Sequence, residues 1–226
     1  MVEGERPPAA ELPTAVATLA AHGVAAAHEV YGRAGLLDPV IRPIQQGVRV
    51  AGPAVTVLCP RADNLMIHMA VEQCRPGDLL VVATMPPGDV AGVIGELLAT
   101  SLQAHGVIGA VVDAGVRDVR ELRAMGFPVW SRWITAQGTT KHGAGAVNRT
   151  VVCAGQEVAP RDMIVADDDG VLCIAAASVL EISDRVVERV AHEDLIRSRL
   201  ASGELSADIL GLREVAARVG IASGDR

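Results

Sequence analysis

The stretch VVDAGVRDVREL, residues 111–122, decides which class of fold the chain adopts. Its first half is apolar and β-branched, as in a strand buried on both faces, and its second half has the charged pattern of a short amphipathic helix. Asp113-Ala114-Gly115 marks the end of the strand, and Val116-Arg117-Asp118 leads into the helix. A buried strand followed at once by a helix is typical of α/β proteins, which place ligands at the carboxyl ends of their strands.

Strands and helices alternate on both sides of this stretch. LLVVAT (79–84) predicts a second buried strand, ELLATSLQAHG (96–106) a helix, and PVWSRW (128–133) the next strand. Gly and Pro interrupt GVRVAGPAVTVLC (47–59), which indicates strands joined by tight turns, and residues 151–175 are expected to form a β-meander. The sequence therefore predicts an α/β protein.

The two ends of the chain are expected to be helical. Near the start, one helix ends at Gly23 and a second, VAAAHEVYG, stops at Gly32. From Ser178 onward the pattern becomes charged and amphipathic, which predicts a long helix and then a shorter one. This segment is either a solvated surface or an arm that crosses onto a neighbouring subunit, and we favour the arm. We therefore divide the chain into a catalytic domain, residues 1–177, and a helical arm, residues 178–226.

Composition excludes several classes of function. The chain has 226 residues, 50% of them hydrophobic, but only four are aromatic, and its formal net charge is −7. Binding to nucleic acid is not expected, because it needs a concentrated basic face and usually aromatic stacking. The N-terminus lacks the basic and apolar segments of a secretory signal, and no apolar run is long enough to cross a membrane. We expect a cytoplasmic protein whose partner is a small molecule or another copy of itself.

Arg117 and Asp118 form the first candidate site. The planar guanidinium of Arg117 matches a carboxylate, and the hard oxygens of Asp118 suit Mg²⁺ or Mn²⁺. Together they could hold an anionic substrate on a metal. The structural alternative is that Asp118 caps the helix that follows and Arg117 is a surface residue.

A second helix start lies about twenty residues earlier, at Gly95-Glu96-Leu97-Leu98. Unpaired backbone N–H groups and the helix dipole favour an anion there, and Gly95 would let a carboxylate approach the backbone closely. Glu96 either provides a favourable charge in the first turn or faces the site and acts on a water molecule.

Ordered stretches along most of the chain resemble the class II 4-hydroxy-4-methyl-2-oxoglutarate and 4-carboxy-4-hydroxy-2-oxoadipate aldolases, a family that shares its fold with the regulator of ribonuclease E activity. The stretches that carry the resemblance are HEVYGRAGLL (28–37), RPIQQGVRVAGPAVTV (42–57), DNLMIHMAVEQCRPGDLLVVA (63–83), GELLATSLQAHGVIGAVVDAGVRDVREL (95–122), FPVWSR (127–132), VVCAG (151–155) and VADDDGV (165–171). The resemblance implies an α-β-β-α layered, swivelling-type sandwich with a C-terminal helical arm, assembled as a homotrimer or homohexamer.

The family's functional residues can be placed at matching positions. The resemblance implies that the amides of Gly95, Glu96, Leu97 and Leu98 bind the pyruvyl carboxylate, that Arg117 binds the substrate, and that Asp118 ligates the metal or orders its water shell. It also implies an acidic residue from the arm of a neighbouring subunit, for which Glu193 is the best match and Asp194 a close rival. Asn64 and His68 are placed near the cavity.

The reaction implied is retro-aldol cleavage of a 4-hydroxy-2-oxo acid to pyruvate plus pyruvate or oxaloacetate, in the breakdown of aromatic compounds, with Mg²⁺ or Mn²⁺ stabilising the enolate. Oxaloacetate decarboxylation is expected as a side activity. Lys141 is the single lysine, and we place it outside the site in TTKHGAG, which disfavours a Schiff-base mechanism. The alternatives are a non-catalytic regulator of ribonuclease activity and an oxaloacetate decarboxylase.

Other conspicuous residues have plainer interpretations. The four cysteines lack metal-binding spacing, and we interpret them as buried free thiols. Asp167-Asp168-Asp169-Gly170 lacks the alternating ligands of a calcium loop and predicts a polar turn between strands.

Overall fold

The computed structural model describes residues 11–220. Its helices are α1 (Leu12–Val30), α2 (Leu65–Val71), α3 (Glu96–Ala104), α4 (Val119–Ala124), α5 (Val179–Ala201), α6 (Ser206–Ile209) and α7 (Leu212–Arg218), with a 3₁₀ turn at Ala176–Ser178. Its strands are β1 (Arg42–Pro43), β2 (Val50–Pro60), β3 (Leu79–Met85), β4 (Gly92–Ile94), β5 (Gly109–Val116), β6 (Val129–Ile134), β7 (Ala146–Val147), β8 (Val151–Cys153), β9 (Gln156–Val158), β10 (Met163–Ala166) and β11 (Val171–Ile174). The mixed α/β class with a C-terminal helix is confirmed. Residues 1–10 of the predicted catalytic domain and residues 221–226 of the predicted arm lie outside the described residues.

A mixed sheet forms the centre of the fold. Its strands lie in the order β1-β6-β5-β3-β2-β10-β11, with β4 beside β5 and β7 beside β2. Strands β2, β3, β5 and β6 are parallel to one another, and β4 is parallel to β5. Their carboxyl ends therefore lie along one edge, and the turns that follow β4 and β5 carry the residues singled out above.

Both faces of this sheet are covered, as the apolar run of β3 predicts. Leu80 and Val82 pack on one side with residues of α2, α3 and α4, namely Ile67, Leu98, Leu102 and Leu122. Leu79 and Val81 pack on the other side with residues of the short strands, namely Val151, Cys153, Val158 and Ile164. Burial of each large aliphatic side chain contributes about 1.5–3 kcal/mol, so this alternation fixes the layered arrangement.

Two expectations about strands are wrong. β2 is one strand of eleven residues that passes through Gly52 and Pro53. It changes partner there, because its first four residues pair with β10 and the pairing with β3 begins at Ala54. Residues 151–175 do not form a continuous meander either, since β8 and β9 form a separate hairpin whereas β10 pairs with β2 and β11.

The break in α1 and the aspartate turn fit together. Gly23 has φ 78° and ψ −171°, so it separates the two predicted helices. The Val24 N–H at the start of the second helix donates to Oδ2 of Asp167 at 2.9 Å. Asp168 accepts hydrogen bonds from the Gly47 N–H at 3.1 and 2.9 Å. These aspartates hold neighbouring backbone in place, which confirms the polar turn.

The chain divides into two compact units, the larger ending at Val186 and the smaller beginning at Val187. The division falls within α5. The first part of this helix is anchored in the larger unit by Val179, Ile182 and Val186, which are buried. In the smaller unit several large apolar side chains are exposed: Leu195, Leu205, Leu210, Leu212, Val215 and Val219. The role of residues 178–226 in assembly stays a prediction.

Candidate active site

The turn after β5 directs Asp118 away from its own helix. Asp118 has φ 54° and ψ 38°, in the left-handed region that Asp adopts more readily than most residues. Asp118 occupies the N-cap position of α4, but its side chain makes no capping hydrogen bond there. Its Oδ2 instead accepts from the Glu96 N–H at 3.1 Å and so caps α3. The structural alternative, a carboxylate that caps its own helix, is therefore wrong.

Gly95 leaves room for two side chains of the site. Its φ of −138° suits any residue, but a Cβ on Gly95 would overlap Oδ2 of Asp118 and lie 3.0 Å from Cγ and Nε of Arg117. Both side chains reach the start of α3 because Gly95 has none. The Arg117 N–H donates to the Ile94 carbonyl at 3.0 Å, which ties the turn after β5 to the end of β4.

The start of α3 keeps hydrogen-bond donors for an anion. The first backbone bond of the helix runs from the Ala99 N–H to the Gly95 carbonyl at 3.0 Å. The Glu96 N–H is used by Asp118, so within residues 11–220 Leu97 and Leu98 have N–H groups without a backbone acceptor. The Glu96 side chain is exposed and does not line the cleft described next.

A cleft of about 200 Å³ opens at this point. Its lining brings together the two predicted turns, the start of α2 and the loop after β6: Asn64, His68, Gly92, Gly95, Leu97, Leu98, Arg117, Asp118, Gly138, Thr139 and Lys141. Asn64 and His68 thus lie where the resemblance places them. Lys141 also lines the cleft, so the expectation that it lies outside the site is wrong.

The charges of the cleft are distributed over several elements. Nε of Arg117 lies 3.5 Å from Oδ2 of Asp118, and both side chains are well exposed, so this pair contributes little to folding. Burial, and then the charge of Lys141, lowers the pKa of His68 below its ordinary value. The His68 ring is therefore neutral near pH 7, and the cations of the cleft wall are Arg117 and Lys141.

The loop of residues 135–145, which carries Lys141, is attached to the chain at both sides of the cleft. On one side the Gly92 N–H donates to the Gln137 carbonyl at 2.8 Å. On the other side Asp63 accepts from Oγ1 of Thr140 at 2.8 Å and from the N–H groups of His142 and Gly143 at 2.7 and 3.0 Å. We call these three bonds the Asp63 clamp.

Asp63 is suited to this role because it is buried and charged. It is 2% exposed, and its Oδ1 also accepts from the Leu65 N–H at 2.9 Å. Burial alone would raise the pKa of Asp63, but the hydrogen bonds from His142, Leu65, Thr140 and Gly143 outweigh it and hold the pKa well below its usual range. The carboxylate is ionised at neutral pH.

Asn64 joins the cleft to the sheet. Its Nδ2 donates to the Val93 carbonyl at 2.9 Å, between α2 and β4. Its Oδ1 is buried and lacks a hydrogen-bond donor among the described residues.

Asp113 lies within β5, which continues to Val116, and not at its end as the sequence suggested; it is a structural residue. It is 1% exposed, and its carboxylate accepts from Nε of Arg132 at 2.5 Å and from the Ala154 N–H at 2.9 Å. Its backbone carbonyl accepts from Oγ1 of Thr84 at 3.3 Å. Asp113 therefore joins β5 to β3, β6 and the β8–β9 hairpin, immediately before the turn that carries Arg117.

Glu193 and Asp194 lie on the part of α5 that belongs to the smaller unit. Glu193 pairs with Arg189 at 2.8 Å, one turn earlier, and Asp194 pairs with Arg197. Their proposed approach to a neighbouring subunit's site stays a prediction.

Comparisons with known proteins agree on one family. A model of the RraA-like family, described as Aldolase/RraA, matches residues 17–173. A protein of Halalkalibacterium halodurans that carries the name "Putative 4-hydroxy-4-methyl-2-oxoglutarate aldolase" is 32% identical over 172 residues, covering 76% of this chain and 80% of that protein. A protein of Burkholderia multivorans with the same name is 36% identical over 166 residues, covering 71% of this chain and 98% of that protein.

Solved structures show the same fold. The structure of Streptomyces coelicolor RraAS2, described as an unusual member of the RNase ES inhibitor RraA protein family, superposes with a TM-score of 0.74 at 26% identity. The superposition covers 86% of this chain and 100% of the RraAS2 chain.

Within residues 11–220 none of the helices is long and apolar enough to cross a membrane. The family match contains β2 through β10 and both turns of the cleft, and the chain therefore belongs to the RraA-like (Aldolase/RraA) family.

Proposed function

We propose that this protein cleaves 4-hydroxy-2-oxo acids by a retro-aldol reaction that depends on a divalent metal. 4-Hydroxy-4-methyl-2-oxoglutarate would give two molecules of pyruvate, and 4-carboxy-4-hydroxy-2-oxoadipate would give pyruvate and oxaloacetate. The observation that carries the proposal is the meeting of Arg117, Asp118 and the free N–H groups of Leu97 and Leu98 at one cleft. The names of the similar proteins support the same activity.

The donor set fits a loosely held Mg²⁺ or Mn²⁺. Within residues 11–220, no three His, Cys, Asp or Glu side chains converge as a metal cage. Mg²⁺ commonly binds through one or two carboxylates, with waters and substrate completing its shell. Asp118 fits this mode, because Oδ2 is engaged by the Glu96 N–H whereas Oδ1 has no hydrogen-bond partner in the described part of the chain. When bound, the cation would act as a Lewis acid toward the 2-oxo group.

The chain's own groups have the following roles in the proposal. The N–H groups of Leu97 and Leu98 bind the carboxylate next to the 2-oxo group, where the dipole of α3 favours an anion. Arg117 donates to the same carboxylate or to the oxo oxygen and so orients the C3–C4 bond. A water molecule assisted by Glu96 or Glu193 takes the 4-hydroxyl proton, because the exposed Glu96 side chain does not itself line the cleft. The C3–C4 bond then breaks, its electrons form the enolate of pyruvate, and C4 becomes a carbonyl carbon.

Oxaloacetate decarboxylation passes through the same pyruvate enolate, so we propose it as a side activity. A decarboxylase would use the same groups. A non-catalytic regulator of ribonuclease activity is the alternative suggested by the similarity to RraAS2. That role would not require a divalent metal at Asp118, which gives an experiment that separates the two.

The experiment measures pyruvate release from 4-hydroxy-4-methyl-2-oxoglutarate with and without a chelator, followed by addition of Mg²⁺ or Mn²⁺. We expect release that the chelator abolishes and the metal restores. Asp118→Asn should lose almost all of it, because it removes a charge while keeping the size of the side chain. Asp169→Asn, an exposed change in the aspartate turn, is the matched control. Metal-independent turnover, or near-normal turnover by Asp118→Asn, would contradict the proposal.

A further inference from the structure

The position of Lys141 calls for an explanation, because Lys141 is the single lysine of the chain and lines the cleft. The Asp63 clamp holds the residues on both sides of it, Thr140 and His142. The backbone around Thr140 is fixed further: its N–H donates to the Ala62 carbonyl at 2.8 Å, and its carbonyl accepts from the Asn64 N–H at 3.1 Å. The Lys141 backbone is therefore fixed although its side chain is exposed.

The loop beyond Lys141 is seated too closely to accept side chains. A Cβ on Gly143 would lie 2.7 Å from Cγ of Pro60 and 3.4 Å from Cγ of Asp63. A Cβ on Gly145 would overlap the carbonyl oxygen of Leu58. The loop thus follows the end of β2 closely, and this contact, together with the clamp, determines where the ammonium group of Lys141 can reach.

The proposed substrates present a second charge to the cleft. Their first carboxylate lies beside the 2-oxo group and is met by the start of α3 and by Arg117. A further carboxylate is attached at C4, on the other side of the bond that breaks. Of the two cations of the cleft wall, Lys141 is the one not engaged at the first carboxylate, and His68, its neighbour there, is neutral near pH 7.

We propose that Lys141 binds the carboxylate at C4 of the substrate and selects dicarboxylic over monocarboxylic 4-hydroxy-2-oxo acids, and that Asp63 is the positioning residue that aims it. This inference rests on the proposed function. The bond is ionic: the ammonium donates to the carboxylate, and no covalent bond forms. Because Lys carries a point charge on a flexible stem, anchoring its backbone reduces the freedom lost when the substrate binds.

The first test compares two substrates that differ in the group at C4. Both carry a hydroxyl and a methyl group at C4, but 4-hydroxy-4-methyl-2-oxoglutarate also has a carboxylate there, whereas 4-hydroxy-2-oxopentanoate has a hydrogen in its place. For Lys141→Met we expect the ratio of their kcat/KM values to fall about 10- to 100-fold, the range for loss of a hydrogen bond between charged groups, chiefly through KM of the dicarboxylate. Arg149→Met, which removes a charge from an exposed position, is the control and should keep the ratio. An unchanged ratio in Lys141→Met overturns the inference.

The second test concerns Asp63. Asp63→Asn should lower the same ratio, and Thr140→Val, which removes one bond of the clamp, should lower it less. In the Lys141→Met background neither change should lower the ratio further, because the group to be aimed is gone. Equal effects with and without Lys141 would show that Asp63 acts only on folding. Thr140→Val keeps the test decisive should Asp63→Asn fail to fold.

Two outcomes distinguish this inference from the proposed function. If the wild-type protein cleaves neither substrate with metal present, the proposed function fails. If it cleaves both but Lys141→Met keeps the wild-type ratio of kcat/KM values, the proposed function stands and the proposed role of Lys141 in binding the C4 carboxylate fails. Treatment with pyruvate and borohydride should leave Lys141 unmodified. A reduced pyruvyl group on Lys141 would show a Schiff base and overturn the ionic role.

Discussion

Gly95→Ala should reduce cleavage activity strongly while reducing the stability of the fold only moderately. The backbone of Gly95, at φ −138°, accepts alanine without strain. The added Cβ, however, would overlap Oδ2 of Asp118 and crowd Arg117 at 3.0 Å. Asp118 must then move and release the Glu96 N–H, which removes a hydrogen bond to a charged group worth about 1.5–3 kcal/mol. For a chain of this size that corresponds to a lower Tm by roughly 3–12 °C.

The loss of cleavage activity in this variant should be larger than its loss of stability alone would explain. Arg117 and Asp118 would both be displaced from the start of α3, and we expect a loss of cleavage of about 100-fold or more, as is typical when a catalytic constellation is misplaced by about 1 Å. Gly138→Ala is the matched control, because its Cβ would lie 3.6 Å from Nη1 of Arg117, an ordinary contact. Thermal melting by circular dichroism and metal-stimulated pyruvate release measure the two effects. Cleavage within about threefold of wild type in Gly95→Ala would refute the assignment of this cleft as the site.

Three further predictions follow from other parts of the chain. Arg117→Lys should lower kcat/KM by at least tenfold, because an ammonium cannot reproduce the two-pronged grip of a guanidinium; unchanged kinetics would remove Arg117 from the site. Glu193→Gln should slow cleavage while light scattering shows an unchanged oligomeric state. Truncation after Val186 should lower both the cleavage rate and the oligomeric state. Full activity of Glu193→Gln together with impaired activity of Asp194→Asn would assign the acidic residue at the neighbouring site to Asp194. The pKa of Asp63 is lowered in the folded protein, so its ionisation stabilises the fold above about pH 4, and this stabilisation is lost as the pH falls further. Urea unfolding measured from pH 6 to pH 3 should therefore show a smaller loss of stability in Asp63→Asn than in wild type.

The structure changes where the arm should be cut. Val179, Ile182 and Val186 are buried in the larger unit, so truncation at Ser178 would open its core as well as remove the arm. Truncation after Val186 keeps these side chains in place. The apolar spacing at the start of α5 predicted a helix, but it did not reveal which unit buries that face.

Local patterns predicted the parts of the fold that local physics controls. The apolar run of β3 and the strand-to-helix change at residues 111–122 were sufficient to place strands, helices and the candidate turn. Pro53 led to an expected break because proline lacks an N–H, yet β2 changes partner at that residue and continues. Such an exchange of partners depends on residues more than a hundred positions away.

The cleft was predicted in part for the same reason. Gly95 and Arg117 lie in recognisable turns, whereas Lys141 follows no periodic pattern and reaches the cleft through hydrogen bonds between Asp63 and residues 77 to 80 positions later. The Asp63-Asn64 pair before α2 has the pattern of a helix cap. Nothing in the neighbouring sequence indicates that Asp63 binds residues of a distant loop. The left-handed turn at Asp118 was equally hidden: there the Asp118 carboxylate accepts from the Glu96 N–H at the start of α3 and makes no capping bond to its own helix, α4.

Asp113 has a consequence for how the site opens and closes. Its carboxylate holds Arg132 of β6, 19 residues away, and the Ala154 N–H in the turn between β8 and β9, 41 residues away, and release of Arg132 would leave a buried charge without its ion-pair partner. Local unfolding that reached the turn of Arg117 would therefore have to open the sheet edge as a cooperative unit, at a free energy near that of global unfolding. Backbone amides of β5 should accordingly be among the last to exchange with deuterium. This side of the cleft would therefore be rigid in the free protein, before a substrate binds.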